Sequence, residues 1–222
     1  MDTELEQRSL LPEDEEELAQ MFEELFPVHY PRQLSHEMCN SPSNTYTCVY
    51  VKKNVSKNEQ ENNTEKLQKS QKKKKKKKVQ SQDPPQQRNL AAMIIVTYEP
   101  DSELDRIGWS LISAKKSWFG TQALAHIILI GVRKEWRMRR LGSQLVQGAI
   151  EETKRRVQNC IAMHLHALTS NYAARKLYLS LGFKQSGLIK DYYHLGQKQT
   201  KADAYLFIKE FEVKVEKFCT IL

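Results

Sequence analysis

A continuous apolar run from Ala123 to Val132, followed by a basic turn and an amphipathic helix, constrains the fold of this chain most strongly. An unbroken run of this kind is typical of a β-strand that is covered on both faces. The turn, Arg137 to Ser143, holds three arginines and Gly142. A strand that enters a helix through such a turn presents backbone N–H groups without helical partners. We therefore expect an anion such as a pyrophosphate to bind there.

Apolar patterns on both sides of this unit extend the expected fold. They predict a helix over Glu13–Phe26 and a long surface helix from Leu141. A short helix is expected between a capping Asn171 and a terminating Gly182. Strands are expected at Thr45–Lys52, Leu90–Glu99, Arg106–Ala114, Cys160–Leu168, Phe183–Leu188 and Asp203–Val213. This order of elements predicts an α+β fold, a sheet with helices on both sides.

The positive charge of the chain is concentrated in one segment. Residues 52–89 hold twelve Lys and one Arg against three Glu and one Asp, a net charge of +9, while the whole chain carries +8. The rest is therefore close to neutral, and no nucleic-acid partner is expected. Because the segment has few aliphatic residues and contains the run Lys72 to Lys78, we predict a disordered insertion in a hairpin between two paired strands. It is a solvated loop, a patch for a membrane surface or an acidic partner, or a nuclear-targeting signal.

Composition excludes several other classes of protein. The hydrophobic content of 40% supplies one sizeable core. The longest apolar run is about half of the ~20 residues that a membrane helix needs, and the acidic start is unlike a signal peptide. The four cysteines have no CxxC spacing, so we expect reduced thiols in a cytosol-like compartment, and we expect no metal site.

A second motif follows about thirty residues after the basic turn. The stretch Asn171 to Phe183 supplies a capping Asn, the small residue Ala174, the helical Tyr178 and a Gly-Phe turn. In order and spacing, the two motifs together resemble the acetyl-CoA-binding core of the GCN5-related N-acetyltransferases (GNAT). The resemblance implies a mixed, mostly antiparallel central sheet that is splayed beside Gly131, with acetyl-CoA bound in the splay as co-substrate.

The resemblance also implies which residues hold acetyl-CoA. They lie at the strand end, in the basic turn and in the second motif: Ile130, Gly131, Val132, Arg137, Arg139, Arg140, Leu141, Gly142, Ser143, Asn171 and Tyr178. One position departs from the family, because Arg140 stands where the first glycine of the turn motif belongs. A Cβ there crowds the pyrophosphate if the backbone needs a glycine conformation, whereas a side chain directed outward adds positive charge.

Two further segments resemble protein N-terminal acetyltransferases that act on peptides beginning with Met. One is Phe26-Pro27-Val28-His29-Tyr30-Pro31, similar to their substrate-binding turn, and the other is Asp191-Tyr192-Tyr193, similar to their peptide-clamping tyrosines. The strand 125–132 and its flanks are most similar to the membrane-associated NatF type, with the NatE catalytic subunit next. The resemblance implies a groove for the N-terminal Met that is lined by Phe26, Pro27, Val28, Tyr30, Tyr192 and Tyr193.

The implied reaction is attack of a free α-amine on the acetyl thioester. His166 is implied as the general base, acting directly or through water. His126 stands where the family's catalytic tyrosine belongs, and an imidazole can share the base role or replace that hydroxyl, since it both donates and accepts. Tyr178 is implied as the donor to the leaving thiolate. The alternative for each of these three residues is ordinary packing in the core.

The last four residues, Cys219-Thr220-Ile221-Leu222, match a C-a-a-X box, and the terminal Leu favours geranylgeranylation of Cys219. The alternative is an unmodified tail. A single lipid chain gives reversible attachment, and the run Lys72 to Lys78 is a candidate second signal, at up to ~1 kcal/mol per charge near an anionic leaflet. This pairing predicts attachment to a membrane surface.

The sequence therefore predicts a monomeric, acetyl-CoA-dependent N-terminal acetyltransferase for Met-initiated proteins. It is expected at the cytosolic face of the Golgi, another endomembrane or the plasma membrane, or else in the cytoplasm. Residues 1–51 and 90–214 are expected to form one domain, interrupted by the insertion 52–89 and followed by the tail 215–222. The alternatives are a lysine or histone acetyltransferase, and an inactive binding module with the same fold, which Arg140 and His126 suggest.

Overall fold

The computed structural model describes residues 5–40, 45–52, 89–98, 123–196 and 198–212. Its strands and helices, in chain order, are β1 (Leu5–Arg8), α1 (Glu15–Leu25), α2 (Arg32–Cys39), β2 (Thr45–Lys52), β3 (Leu90–Thr97), β4 (Ala123–Val132), α3 (Leu141–Arg156), β5 (Cys160–Leu168), α4 (Tyr172–Ser180), β6 (Lys184–Leu195) and β7 (Thr200–Glu210). The predicted strand Arg106–Ala114, nearly all of the Lys-rich insertion and the tail with Cys219 lie outside the described residues.

Seven strands form one sheet in the order β1-β2-β3-β4-β5-β7-β6. Neighbouring strands are antiparallel, apart from β4 and β5, which run parallel. Helices α3 and α4 cover one face, around Leu145, Tyr178 and Phe207. Helices α1 and α2 cover the other face, around Leu18 and Leu129. The predicted α+β fold, a mixed and mostly antiparallel sheet with helices on both sides, is confirmed.

The parallel strands β4 and β5 separate before they end. They pair from Ala123 opposite Cys160 to Ile127 opposite Leu165, and the pairing stops there. The last residues of β4 remain bonded only to β3, where Gly131 lies opposite Met93. The sheet is therefore splayed beside Gly131, as predicted.

The two strands that flank the Lys-rich insertion are direct neighbours. They pair in antiparallel register from Thr45 opposite Thr97 to Val51 opposite Leu90. The N–H of Lys52 donates to the carbonyl oxygen of Asn89 at 2.9 Å. The expected hairpin pair is thus confirmed, and the two ends of the insertion lie within hydrogen-bonding distance of each other.

Several elements differ from the expectation. Strand β7 begins and ends three residues earlier than predicted, at Thr200–Glu210. Strand β1 and helix α2 are additional elements, four and eight residues long, too short to show a clear period in sequence. Strand β6 continues past Leu188 to Leu195, with a bulge between Ile189 and Tyr193 where Asp191 has a φ of 54°.

Of the helices that the structure describes, none combines the length and apolar content that crossing a bilayer requires.

Candidate functional site

A cleft of about 700 Å³ opens where β4 and β5 separate. Its walls are the end of β4, the start of α3, the first turns of α4, the end of β5 and the α1–α2 loop. Of the residues implied for acetyl-CoA, the cleft is lined by Ile130, Gly131, Val132, Arg137, Arg140, Leu141, Gly142, Ser143, Asn171 and Tyr178. Arg139 is not among the lining residues; its guanidinium stacks over the indole ring of Trp136, which does line the cleft, at 4.5 Å.

The N-terminus of α3 forms part of the lining of the cleft. The first backbone bond of the helix runs from the N–H of Gln144 to the carbonyl of Arg140, at 3.0 Å. The amides of Leu141, Gly142 and Ser143 precede that bond and have no partners within the helix. These residues line the cleft, so the helix N-terminus that the sequence predicts to bind an anion lies at the cleft.

Arg140 adopts the backbone conformation that glycine favours. Its φ is 62° and its ψ is 10°, and Met138, two residues earlier, also has a positive φ of 63°. For a residue with a Cβ this left-handed conformation costs about 1–2 kcal/mol. The departure from the family's glycine is therefore accommodated with local strain, and Arg140 stays at the wall of the cleft.

Replacing Arg140 by Gly is expected to raise the free energy of unfolding by about 0.5–1 kcal/mol. Relief of the left-handed strain exceeds the entropy that glycine adds to the unfolded chain, about 0.4–1 kcal/mol. Thermal unfolding should show a midpoint higher by roughly 1–4 °C. Arg139→Gly is the control, because it removes the stack on Trp136 without relieving a positive φ, and its midpoint should not rise.

Three histidines lie together on one face of the sheet. His126 on β4 and His164 on β5 are register partners, and His166 is two residues further along β5. The rings of His126 and His164 are stacked, with centroids 4.5 Å apart and planes 2° from parallel, and His166 is nearly perpendicular to both. His126 and His164 are buried, whereas His166 is partly exposed and lines the cleft.

Burial keeps the stacked pair neutral. It lowers the pKa of His126 to about 3, with a smaller contribution from His166. Burial likewise lowers the pKa of His164 to about 2, with smaller contributions from His126 and His166. His166 has a different environment, because its Nδ1 lies 2.9 Å from the hydroxyl of Tyr192, whose ring stacks on the imidazole at 4.3 Å. Among the three, His166 combines access to the cleft with a polar partner.

The depressed pKa of His164 makes stability depend on pH. In the unfolded chain its ring takes up a proton near pH ~6.5, and in the folded chain it does so only far below that value. The contribution of the neutral His164 ring to the free energy of unfolding is therefore fully present above pH ~6.5. It is lost as the pH falls toward the pKa of His164 in the folded chain. Replacing His164 by Leu should flatten the decline of the unfolding free energy below pH 6.5 by up to about 1.4 kcal/mol per pH unit. Urea unfolding at pH 7, 6 and 5 measures this, and an unchanged slope would contradict it.

Two loops meet beside the cleft. In the α1–α2 loop, the rings of Phe26 and Tyr30 lie 5.7 Å apart, edge to face, and burial raises the pKa of Tyr30 to about 12. The β6–β7 loop is tied to it by the N–H of Gly196, which donates to the carbonyl of Pro27 at 2.9 Å. Of the residues implied for the substrate, the cleft is lined by Phe26, Pro27, Val28, Tyr30 and Tyr193.

The bulge in β6 sets the positions of the two remaining tyrosines. The N–H of Asp191 donates to a side-chain oxygen of Asp203 at 2.9 Å, which holds the bulge against β7. Tyr192 then contacts His166, and Tyr193 lines the cleft with its ring edge-on to Tyr192 at 4.8 Å. Tyr192 therefore reaches the cleft through His166.

Tyr178 both packs in the core and lines the cleft. Its ring contacts Phe183 at 5.9 Å and Phe207 at 5.6 Å, and burial raises the pKa of its hydroxyl well above the ordinary value. The phenol therefore stays protonated at physiological pH and can act as a donor. The predicted cap of α4 is also present, since Asn171 Oδ1 accepts from the N–H of Ala174 at 3.1 Å.

Two buried polar residues near the site were missed by sequence reasoning. His164 had a recognisable signal, because it lies two residues before His166 on an expected strand and so shares its face. Arg133 had little signal, because it is only the first of several charged residues that follow the apolar run. Its side chain is 1% exposed, and its Nη1 donates to Glu17 Oε1 at 3.0 Å, while its Nε lies 3.5 Å from Glu24.

Known sequences include a family whose profile matches this chain and relatives that match it over part of their length. A profile of the acetyltransferase (GNAT) family matches residues 67–183, more than half of the chain. N-alpha-acetyltransferase 60 of Xenopus tropicalis is 31% identical over 93 residues, which is 41% of this chain and 38% of that protein. An N-alpha-acetyltransferase of Sulfurisphaera tokodaii is 33% identical over 81 residues, 36% of this chain and 45% of that protein. The matches thus span less than half the length of these curated relatives.

Solved structures share the fold over nearly the whole chain. Arabidopsis thaliana NAA60 in complex with a bisubstrate analogue superimposes with a TM-score of 0.68 and 18% identity, covering 94% of this chain and 99% of that one. Arabidopsis thaliana Naa50, in complex with the bisubstrate analogue CoA-Ac-MVNAL, gives a TM-score of 0.59 and 16% identity, covering 94% of this chain and 100% of that one. At these identities the likeness concerns the fold.

Proposed function

Since the chain belongs to the acetyltransferase (GNAT) family, we propose that it is a protein N-terminal acetyltransferase that uses acetyl-CoA to modify the α-amine of Met-initiated proteins. One observation carries the proposal: a single cleft is lined both by the N-terminus of α3 and by His166, whose Nδ1 meets Tyr192. Relatives named N-alpha-acetyltransferase, and structures of similar fold that were solved with acetyl-CoA or CoA-linked peptide analogues, support it.

The residues of the cleft fit acetyl-CoA. The amides at the start of α3 and the cations of Arg137 and Arg140 suit its pyrophosphate. When bound there, acetyl-CoA supplies the activated acetyl group. The exposed edge of β4 beyond Ile127 offers backbone groups that no longer bond to β5, and these suit the amides of the pantetheine arm.

His166 is proposed as the proton acceptor of the reaction. An α-amine with a pKa near ~8 is partly neutral at physiological pH, so a modest base is sufficient. As the amine nitrogen bonds to the acetyl carbon and the carbon–sulfur bond breaks, His166 takes the proton that the nitrogen loses. Tyr178, which stays protonated, donates to the departing sulfur. His126 is buried and neutral behind His166, and it supports the base without lining the cleft.

The chemistry of the cleft favours an N-terminal amine over a lysine side chain. A lysine amine has a pKa near ~10.4, so an acidic groove is expected for it. Among the described residues that line the cleft, none is Asp or Glu. The hydrogen bond between Gly196 and Pro27 also ties the β6–β7 loop to the α1–α2 loop, and this closure suits the entry of a chain end.

The decisive experiment is an acetylation assay on a Met-initiated peptide. It is compared with the same peptide carrying a blocked N-terminus and a free Lys. The proposal expects acetylation of the free α-amine only. Acetylation of the Lys alone would instead identify a lysine acetyltransferase. Thermal stabilisation by acetyl-CoA without turnover on a panel of Met-initiated peptides would identify an inactive binding module.

Membrane association is a separate proposal. It rests on Cys219 and the run Lys72 to Lys78, which both lie outside the described residues. We propose that a prenyl group and the lysines act together on an anionic membrane surface. Membrane-pellet fractions of Cys219→Ser, the lysine-run deletion and the double change test this. If the Cys219→Ser protein pellets like the parent, the lipid anchor is wrong.

A further inference from the structure

The cluster of His126, His164 and His166 has a use beyond proton transfer. We propose that these three imidazoles form a binding site for a Zn²⁺ ion, and that occupancy of the site competes with the use of His166 as a base. Binding itself is independent of the proposed function, whereas the inhibition rests on it. The site also differs from what the sequence led us to expect, which was no metal site.

The geometry brings the ligand atoms close to a zinc arrangement. One nitrogen from each ring can be chosen so that all three lie within 4.8 Å of one another. Tetrahedral zinc, with Zn–N bonds of about 2.0–2.1 Å, places its ligand nitrogens about 3.3 Å apart. The rings of His126 and His164 are parallel, so their lone pairs lie in two parallel planes and do not converge on one point. Binding therefore requires one of the two rings to rotate toward His166.

The state of the rings favours a metal. Two of the three rings are already removed from water, since His126 and His164 are buried. Both ring nitrogens of His164 are buried and have no hydrogen-bond partner in the part of the chain that the structure describes. A buried polar atom in this condition is costly. Coordination by one of these nitrogens removes part of that cost and compensates the ring rotation.

The surroundings supply the second layer of a metal site. The hydroxyl of Tyr192 meets Nδ1 of His166 at 2.9 Å, and such a contact fixes the orientation of the ring, so Nε2 is the atom proposed to coordinate. Three nitrogen ligands leave a fourth position, which a water can fill from the cleft that His166 lines. Nitrogen donors select Zn²⁺ over Mg²⁺ and Ca²⁺, which prefer oxygen.

The test uses Co²⁺ as a spectroscopic probe for the zinc site in the full chain. We expect Co²⁺ to bind 1:1 with the absorption bands of a tetrahedral site, and Zn²⁺ to displace it. His164→Leu should weaken Zn²⁺ binding at least about tenfold, because it removes one of three ligands. His194→Leu, which removes an exposed histidine from β6, is the matched control and should bind like the parent. Equal affinity in His164→Leu and the parent would overturn the site.

A second measurement needs no substitution and so does not depend on the variant folding. In the parent labelled with ¹⁵N-histidine, Zn²⁺ should shift the ring resonances of His126, His164 and His166. Those of His29, His36 and His194 should stay in place. Shifts confined to the latter three would overturn the proposal, as would the absence of saturable binding.

The inhibitory part has its own readout. Zn²⁺ should inhibit acetylation by the parent, and in His164→Leu the half-inhibiting concentration should rise by the same factor as the zinc affinity falls, each relative to its own zinc-free rate. If the chain binds Co²⁺ as expected but acetylates no peptide, the proposed function fails and the metal site stands. If acetylation is normal and no Co²⁺ band appears, the metal site fails alone.

Discussion

Replacing His166 by Gln is expected to lower kcat for a Met-initiated peptide about 10²–10⁴-fold. Gln retains polar contacts with its neighbours, yet it cannot take up the proton that the attacking amine must lose. The binding of acetyl-CoA should be unchanged, because the predicted contacts to it lie at β4, α3 and α4. The measurement is steady-state acetylation kinetics together with the thermal shift that acetyl-CoA produces.

Two further variants show whether the loss is chemical. His194→Gln makes the same substitution at an exposed position on β6 and should leave kcat unchanged. Tyr192→Phe removes the hydroxyl that lies 2.9 Å from His166 Nδ1. It should lower kcat roughly 2–10-fold, which corresponds to the free energy of one hydrogen bond. If His166→Gln retains full kcat, His166 is not the base.

The second large effect is on stability. Replacing Arg133 by Met is expected to lower the free energy of unfolding by about 3–5 kcal/mol, since it leaves Glu17 without its buried cationic partner. Glu17 Oε1 also accepts the N–H of Leu90, so the same carboxylate joins α1, the start of β3 and the residue after β4. A midpoint lower by roughly 6–20 °C is expected in thermal unfolding.

An exposed ion pair provides the matched comparison. Arg155 contacts Glu152 on α3 at 2.6 Å, but its side chain is 70% exposed. Arg155→Met should therefore leave the unfolding free energy nearly unchanged. Combining Arg133→Met with Glu17→Gln should recover part of the loss, because no unpaired charge then remains buried. Equal effects of Arg133→Met and Arg155→Met would contradict the account of Arg133.

The parts of the fold that were predictable from sequence are those whose apolar pattern is complete within one element. Strands β2, β4 and β5 begin and end at the expected residues, because a buried strand shows its burial residue by residue. Strand β1 shows no such pattern, since four residues with one buried Leu5 depend on pairing with β2 some forty residues away. Its existence is a tertiary effect.

The candidate site was predictable where a motif fixes the backbone, and less so where side chains from distant elements meet. The basic turn and the cap at Asn171 lie where the motifs imply. Arg139 differs, because it is not among the residues that line the cleft and its guanidinium packs on the ring of Trp136. The stack of His126 on His164 depends on strand order and register, which the sequence does not show.

The bond between Lys52 and Asn89 has a consequence for how this architecture can be altered. Because the backbone leaves β2 and enters β3 at adjacent points, at the same end of two neighbouring interior strands, the connection between them can change in length without moving either strand. That junction is therefore suited to grafting: a tight reverse turn, an affinity tag or an entire reporter domain could be inserted there, and the cleft between β4 and β5 should keep its geometry.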